Sequence, residues 1–167
     1  MPSTPSQLDL PLIKSTIHTF LTTLSDPQSN PLESLLPKFT TSPAPLIHEH
    51  GLPSLAPFLG RDFVGQDGIK EYFLTMGGVL GFEDMRFEDE EGWIMQDMGI
   101  GGWVVVIRGW ARFFAKRTGE GWREGFVYRL RVVREDGEWK IQEYRVWADT
   151  GAAYLALRGE LGKLNDE

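Results

Sequence analysis

The second half of the chain is the part of the sequence that most restricts the fold, because long β-forming segments follow one another there with only short turns between them. Residues 103–114 and 126–133 are rich in β-branched and aromatic side chains, which favour strands. Asp136-Gly137 is typical of a tight hairpin turn and precedes a last strand predicted over 139–148. The pattern predicts a run of antiparallel hairpins.

The first half of the chain instead carries the periodicity of helices. Apolar residues recur there at three- and four-residue intervals, at Leu10, Ile13, Ile17, Phe20, Leu21 and Leu24. Asn30, Pro31 and Glu33 suit the N-cap, first and third positions of a second, short helix. A short strand near 46–50 and a third helix starting at Asp67-Gly68 are predicted before the hairpins begin.

This order of elements predicts an α+β fold, with one sheet and helices on one of its faces. Long antiparallel strands coil, and glycines within them permit sharp bends, so a bent sheet capped by helices can enclose a cavity. The 167 residues fit one domain. We place this single domain over 8–167, after a polar, disordered lead-in over 1–7.

The composition excludes or disfavours several classes of protein. The chain has no cysteine, so disulfides, thiolate zinc sites and a cysteine nucleophile are excluded. Its 24 acidic and 17 basic residues give a net charge of −7, which disfavours nucleic-acid binding. No segment approaches the roughly 18 apolar residues of a membrane-spanning helix, and no secretory signal is visible. We expect a cytoplasmic protein without membrane or nucleic-acid partners, and the lack of a glycine-rich phosphate motif predicts no cofactor.

Four stretches support a more specific interpretation: the first amphipathic helix, residues 57–73, the strand over 104–113, and residues 140–150. In their order and spacing they resemble the nuclear transport factor 2-like superfamily, specifically a SnoaL-like domain, over residues 8–158. The resemblance implies a cone: a strongly curved mixed or antiparallel sheet, with the N-terminal helices packed on its concave face around an apolar pocket, in a homodimer. Polyketide cyclases, ketosteroid isomerases, dehydratases, epoxide hydrolases and non-catalytic binders share this fold, so it leaves the function open.

Asp149 is the first candidate for catalysis. The resemblance implies an acid/base aspartate at the end of the last strand, and the ending Tyr-Arg-Val-Trp-Ala-Asp-Thr places Asp149 there. A carboxyl group held in an apolar cavity can exchange protons near neutral pH. The alternative is structural, because Asp149 or Thr150 also suits the N-cap of a C-terminal helix.

Arg108 is the second candidate, on the long strand. The related epoxide hydrolases carry an arginine and an aspartate two positions apart on this strand, whereas this chain has Arg108 and Trp110. The missing acid disfavours epoxide hydrolysis. We expect Arg108 to pair with Asp149 or to polarise a substrate oxygen, and Trp110 to form an apolar wall. The alternative for Arg108 is an ordinary surface position.

His48 is the third catalytic candidate, because histidine exchanges protons near neutral pH. His48 and His50 share one face of the predicted strand, but no third ligand lies near them, so no metal site is predicted. The alternative is that both are polar groups at the rim of the sheet. Tyr128 is predicted to donate to a substrate carbonyl or to pack in the core. Substrate-binding positions are predicted at Phe58, Tyr72, Trp110, Tyr128 and Trp147.

The last strand offers two possible registers. If the Asp149 side faces the pocket, Glu143 and Arg145 form an internal ion pair, and Tyr144 and Val146 suit a dimer interface. A β-bulge would invert this arrangement.

Two functions remain open from the sequence. The first is a cofactor-free acid/base enzyme that cyclises, isomerises or dehydrates an apolar polyketide-, terpenoid- or steroid-like molecule of secondary metabolism. The second is a non-catalytic domain of the same fold that binds a small molecule or a protein. We favour the enzyme.

Overall fold

The computed structural model describes residues 9–26 and 31–165. The predicted lead-in over 1–7 and the predicted N-cap Asn30 lie outside these residues. The described chain contains four α-helices: α1 (Leu10–Ser25), α2 (Pro31–Leu35), α3 (Gly65–Val79) and α4 (Thr150–Arg158). It contains seven strands: β1 (Leu46–Glu49), β2 (Asp62–Val64), β3 (Leu80–Phe87), β4 (Ile94–Asp97), β5 (Trp103–Ala115), β6 (Gly121–Glu135) and β7 (Glu138–Trp147).

The strands form one mixed sheet with the order β2-β1-β7-β6-β5-β3, and β4 also pairs with β5. Neighbouring strands are antiparallel except for β1 and β7, which run parallel. This parallel pair places Glu49 of β1 opposite Val146 of β7. The hairpins β5–β6 and β6–β7 are those that the second half of the sequence predicts.

Helix α1 covers one face of the sheet with the apolar stripe that its sequence predicts. Five of the six predicted positions are buried, namely Ile13, Ile17, Phe20, Leu21 and Leu24. The ring of Phe20 lies 5.4 Å from that of Tyr144 on β7, in an edge-to-face arrangement. Burial of these side chains supplies the main stabilisation of a helix that lacks a side-chain cap.

The long strands alternate between a buried inner face and a more exposed outer face. On β5, Ile107 and Ala111 are buried, whereas Arg108 and Trp110 are exposed. Gly109 lies on the inner face, where a Cβ atom would come within 2.4 Å of the Phe126 ring, so an aromatic side chain of β6 occupies that space. The helices lie on one face of a mixed sheet, which confirms the predicted α+β cone.

Candidate functional site

A cavity lies between the inner face of the sheet and the helices. It holds about 150 Å³ of space that the centre of a water molecule can reach, and all four helices contribute to its lining. Most of the lining is apolar, and nine of its side chains are aromatic: Phe58, Tyr72, Phe73, Phe82, Phe113, Trp122, Phe126, Tyr128 and Tyr144. Such a concave apolar space with a few polar groups is the usual form of a small-molecule site.

Glu49 is the most deeply placed charged group in the lining. It ends β1 and is only 6% exposed, because its side chain points inward beside β7. The Tyr72 hydroxyl donates a hydrogen bond of 2.6 Å to Glu49 Oε2. Burial raises the pKa of the Glu49 carboxyl from 4.5 to about 7, even though the bond from Tyr72 lowers it. Glu49 can therefore either take up or release a proton near neutral pH.

Three buried tyrosines surround this carboxyl group. The ring of Tyr144 lies 6.3 Å from that of Tyr72 and 4.9 Å from that of Tyr128. Burial raises the pKa of all three hydroxyls, so the tyrosines stay neutral and act as hydrogen-bond donors. The neighbouring Tyr144 hydroxyl partly offsets the effect of burial on the pKa of Tyr128. Because Tyr128 lines the cavity, its hydroxyl can donate a hydrogen bond to a bound molecule.

Glu124 and Asp149 lie together in another part of the lining. Glu124 Oε2 accepts a hydrogen bond of 2.8 Å from the Asp149 amide. Burial raises the pKa of Glu124, and the nearby charge of Asp149 adds to this effect, whereas the hydrogen bond from the Asp149 amide opposes it. The Asp149 carboxyl is exposed, and its Oδ1 accepts a 3.0 Å bond from the Ala152 amide. These two acidic residues therefore form the solvent-facing end of the cavity.

The placement of Asp149 corrects one part of the sequence prediction. Asp149 does line the cavity, as do the predicted substrate-binding residues Tyr128, Phe58 and Tyr72. Its carboxyl group is not enclosed, however, because it caps the N-terminus of α4. The structural alternative for Asp149 is therefore realised, and the buried carboxyl group of the cavity is Glu49.

Four other predicted residues lie outside the cavity. A place in the cavity wall is wrong for Trp110 and Trp147, whereas Arg108 takes the surface position that was its alternative and His48 is a paired polar group, as its alternative proposed. The side chain of Arg108 is 66% exposed on the outer face of β5 and pairs with Glu88, with Nε and Oε2 3.0 Å apart. Trp110 shares this outer face because it lies two residues along the strand, and Trp147 is exposed on β7. His48 Nδ1 and Asp62 Oδ1 form a 2.7 Å hydrogen bond between β1 and β2, on the face opposite Glu49.

A β-bulge in β7 changes which alternate residues point inward between Ile141 and Tyr144. Arg131 and Val132 of β6 are consecutive, but their partners Glu143 and Ile141 are two residues apart, which leaves Gln142 as the extra residue.

Beyond this bulge Tyr144 and Val146 point inward and are buried. They line the cavity, which corrects their predicted place at a dimer interface. Glu143 and Arg145 do pair, with Oε2 and Nε 3.1 Å apart. They do so on the outer face, whereas an internal pair was predicted.

Glu49 and Glu124 are the functional candidates that the sequence interpretation missed. A signal for Glu49 was present, because it shares a strand face with the apolar Ile47, which is fully buried. Glu124 shares a face with Phe126 and Tyr128 in the same way.

Among residues 9–26 and 31–165, no three acidic or histidine side chains come close enough together to hold a metal ion. The helices in this part of the chain are all too short or too polar to cross a membrane.

Comparison of structures finds many proteins with a similar fold, whereas the two comparisons of sequence find no match. No protein-family model matches the chain, and no curated protein matches its sequence. A ketosteroid isomerase-like protein from Erwinia carotovora atroseptica is 16% identical with a TM-score of 0.62, and the match covers 86% of this chain and 98% of that protein. TerC, co-crystallised with polyporic acid, is 20% identical with a TM-score of 0.64, covering 87% and 98% of the two chains. PrhC from Penicillium brasilianum is 14% identical with a TM-score of 0.62, covering 93% and 91%.

Proposed function

From the nuclear transport factor 2-like fold of this chain, we propose a cofactor-free acid/base enzyme that acts on an apolar small molecule held in the cavity. The observation that carries the proposal is the buried Glu49 carboxyl, whose pKa of about 7 suits it to proton transfer. The likeness to a ketosteroid isomerase-like protein supports the same class of reaction. The polyketide-, terpenoid- or steroid-like character of the substrate is part of the proposal.

In the proposed step the Glu49 carboxylate takes a proton from a carbon next to a substrate carbonyl. The electron pair of the broken C–H bond moves towards the carbonyl oxygen, and the Tyr128 hydroxyl donates a hydrogen bond to the resulting oxyanion. Protonated Glu49 then returns its proton at a different carbon, which isomerises the substrate. If a β-hydroxyl group is present, Glu49 gives the proton to that group as it leaves as water, which completes a dehydration.

Hydrogen exchange tests this assignment without knowledge of the natural substrate. The protein is incubated in D₂O with a panel of apolar cyclic ketones, and deuterium at the carbons next to the carbonyl is measured by mass spectrometry. We expect the wild-type chain to accelerate exchange on at least one ketone and Glu49→Gln to slow it at least about 100-fold. Glu83→Gln is the control, because it removes an equal charge from an exposed residue that pairs with Arg112. It should leave the exchange rate unchanged.

Equal exchange rates for wild type and Glu49→Gln, or no acceleration on any ketone, would contradict the proposal. The alternative function, binding without turnover, is favoured by the largely apolar lining of the cavity. It predicts that Glu49→Gln changes neither exchange nor the affinity for apolar ligands by more than a few fold. The homodimer, the cytoplasmic location and the absence of a cofactor remain predictions.

A further inference from the structure

The charged side chains that line the cavity are all acidic. Glu49, Glu124 and Asp149 bring three carboxyl groups to it, and no lysine, arginine or histidine of the described chain is among the lining residues. A ligand that is itself an anion would meet only like charges, and no cation would compensate them.

The acidic groups already oppose one another in the empty cavity. The charge of Glu124 contributes to the raised pKa of Glu49, and that of Asp149 contributes to the raised pKa of Glu124. A positive group placed near Glu124 would relieve this repulsion, whereas a neutral group would leave it unchanged.

Aromatic rings stand beside Glu124 along the same wall. Phe113 lies 5.9 Å from Trp122 and 5.9 Å from Phe126, measured between ring centroids. Trp122 and Phe126 flank Glu124 on β6, and all three side chains line the cavity. The faces of such rings attract cations, most strongly ammonium groups that have left bulk water.

Basic side chains near this end of the molecule make contacts elsewhere. Lys116 donates to the Gly77 carbonyl, and Arg117 donates to the Leu157 carbonyl. Arg123 pairs with Asp84, with Nη2 and Oδ2 3.1 Å apart. None of these three cations lines the cavity.

We propose that the ligand of this cavity carries a protonated amine, which lies against Glu124 and its aromatic neighbours while the apolar body of the ligand fills the space towards Glu49. This inference rests on the proposed function, because it names the substrate class of the same site. It also gives the two glutamates of the cavity different roles: Glu124 anchors the ammonium group, and Glu49 keeps the proton-transfer role.

Isothermal titration calorimetry at pH 7.5 with three matched probes tests the inference. The probes are 1-naphthylmethylamine, 1-naphthylmethanol and 1-naphthoate, which share a ring system and differ in charge. We expect the ammonium probe to bind at least tenfold more tightly than the alcohol, and the carboxylate probe to bind more weakly than either. Glu124→Gln should remove the preference for the ammonium and keep the affinity for the alcohol, which also shows that the variant is folded. Glu83→Gln, the charge-matched control, should keep the preference.

Binding of the alcohol or the carboxylate as tightly as the ammonium would overturn the inference. So would a preference that survives Glu124→Gln, or a failure of all three probes to bind. Tight binding of the alcohol or the carboxylate, or a preference that survives Glu124→Gln, does not contradict the proposed proton transfer by Glu49, because deuterium exchange measures that step separately. An ammonium preference in a protein that shows no Glu49-dependent exchange would instead support the ligand class and contradict the enzyme.

Discussion

The buried Glu49 should make the stability of the protein depend on pH in a way that one substitution removes. Burial raises the pKa of this group from 4.5 to about 7, and each unit of difference between the folded and unfolded chain corresponds to about 1.4 kcal/mol. The protonated form is therefore favoured in the fold. The stability that this preference supports is fully present below pH 4.5 and is lost as the pH rises through 7, where the loss reaches about 3 kcal/mol.

Glu49→Gln is the informative variant because glutamine has nearly the same shape and carries no charge at any pH. Its side-chain oxygen can still accept the bond that Tyr72 donates to Glu49. The other titratable groups are common to both proteins, so their contributions cancel in the difference. Relative to wild type, the variant should gain about 3 kcal/mol in free energy of unfolding between pH 4.5 and pH 8.

Urea unfolding of both proteins at several values of pH in this range measures the difference directly. Glu83→Gln serves as the control, because Glu83 is exposed on the outer face and its loss should leave the pH dependence of wild type unchanged. A difference between wild type and Glu49→Gln that stays constant with pH would refute the reasoning. It would mean that the carboxyl group is solvated in the folded protein, and the proposed acid/base role would lose its basis.

Three further perturbations test other parts of the structure. Tyr72→Phe removes the bond that lowers the pKa of Glu49, so the pH at which exchange activity appears should move upward in a pH–rate profile. Glu135 accepts hydrogen bonds from Ser42 and Thr41 that lower its pKa to about 2. Glu135→Gln should therefore lower the urea midpoint above pH 4.5, and the difference in midpoint from wild type should shrink as the pH falls towards 2. Phe20→Ala should cost about 3–5 kcal/mol in urea unfolding because the ring is fully buried.

The sequence was sufficient to predict the elements and their order because local patterns determine them. The stripe on α1 follows from side chains spaced three and four apart, and five of its positions are buried. Strands β5 to β7 follow from β-branched and aromatic runs separated by turn residues, as with Asp136 and Gly137 between β6 and β7. The inward and outward alternation of β5 was also visible, although the side that faces the cavity was not.

The sequence was insufficient to predict which face of each strand points inward, because this depends on pairings between residues that are distant in the sequence. The bulge at Gln142 reverses which side chains of β7 point inward, and it exists only through the register with Arg131 and Val132 of β6. The inward face of β1 likewise depends on its parallel pairing with β7, nearly one hundred positions along the chain. Arg108 and His48 were assigned to the cavity because nothing local distinguishes the two faces.

The proposed acid/base role falls to Glu49 because the end of the last strand does not supply an enclosed carboxyl group. Asp149 is exposed, and its carboxyl group accepts a hydrogen bond from the Ala152 amide as the cap of α4. Glu49 lies one strand away, enclosed by Tyr72, Tyr144 and Val146, and its carboxyl group has no basic partner among the lining residues of the cavity. A salt bridge there would hold the carboxyl ionised and weaken its ability to take up a proton. The bond from a neutral tyrosine leaves both protonation states accessible, and an acid/base catalyst needs both.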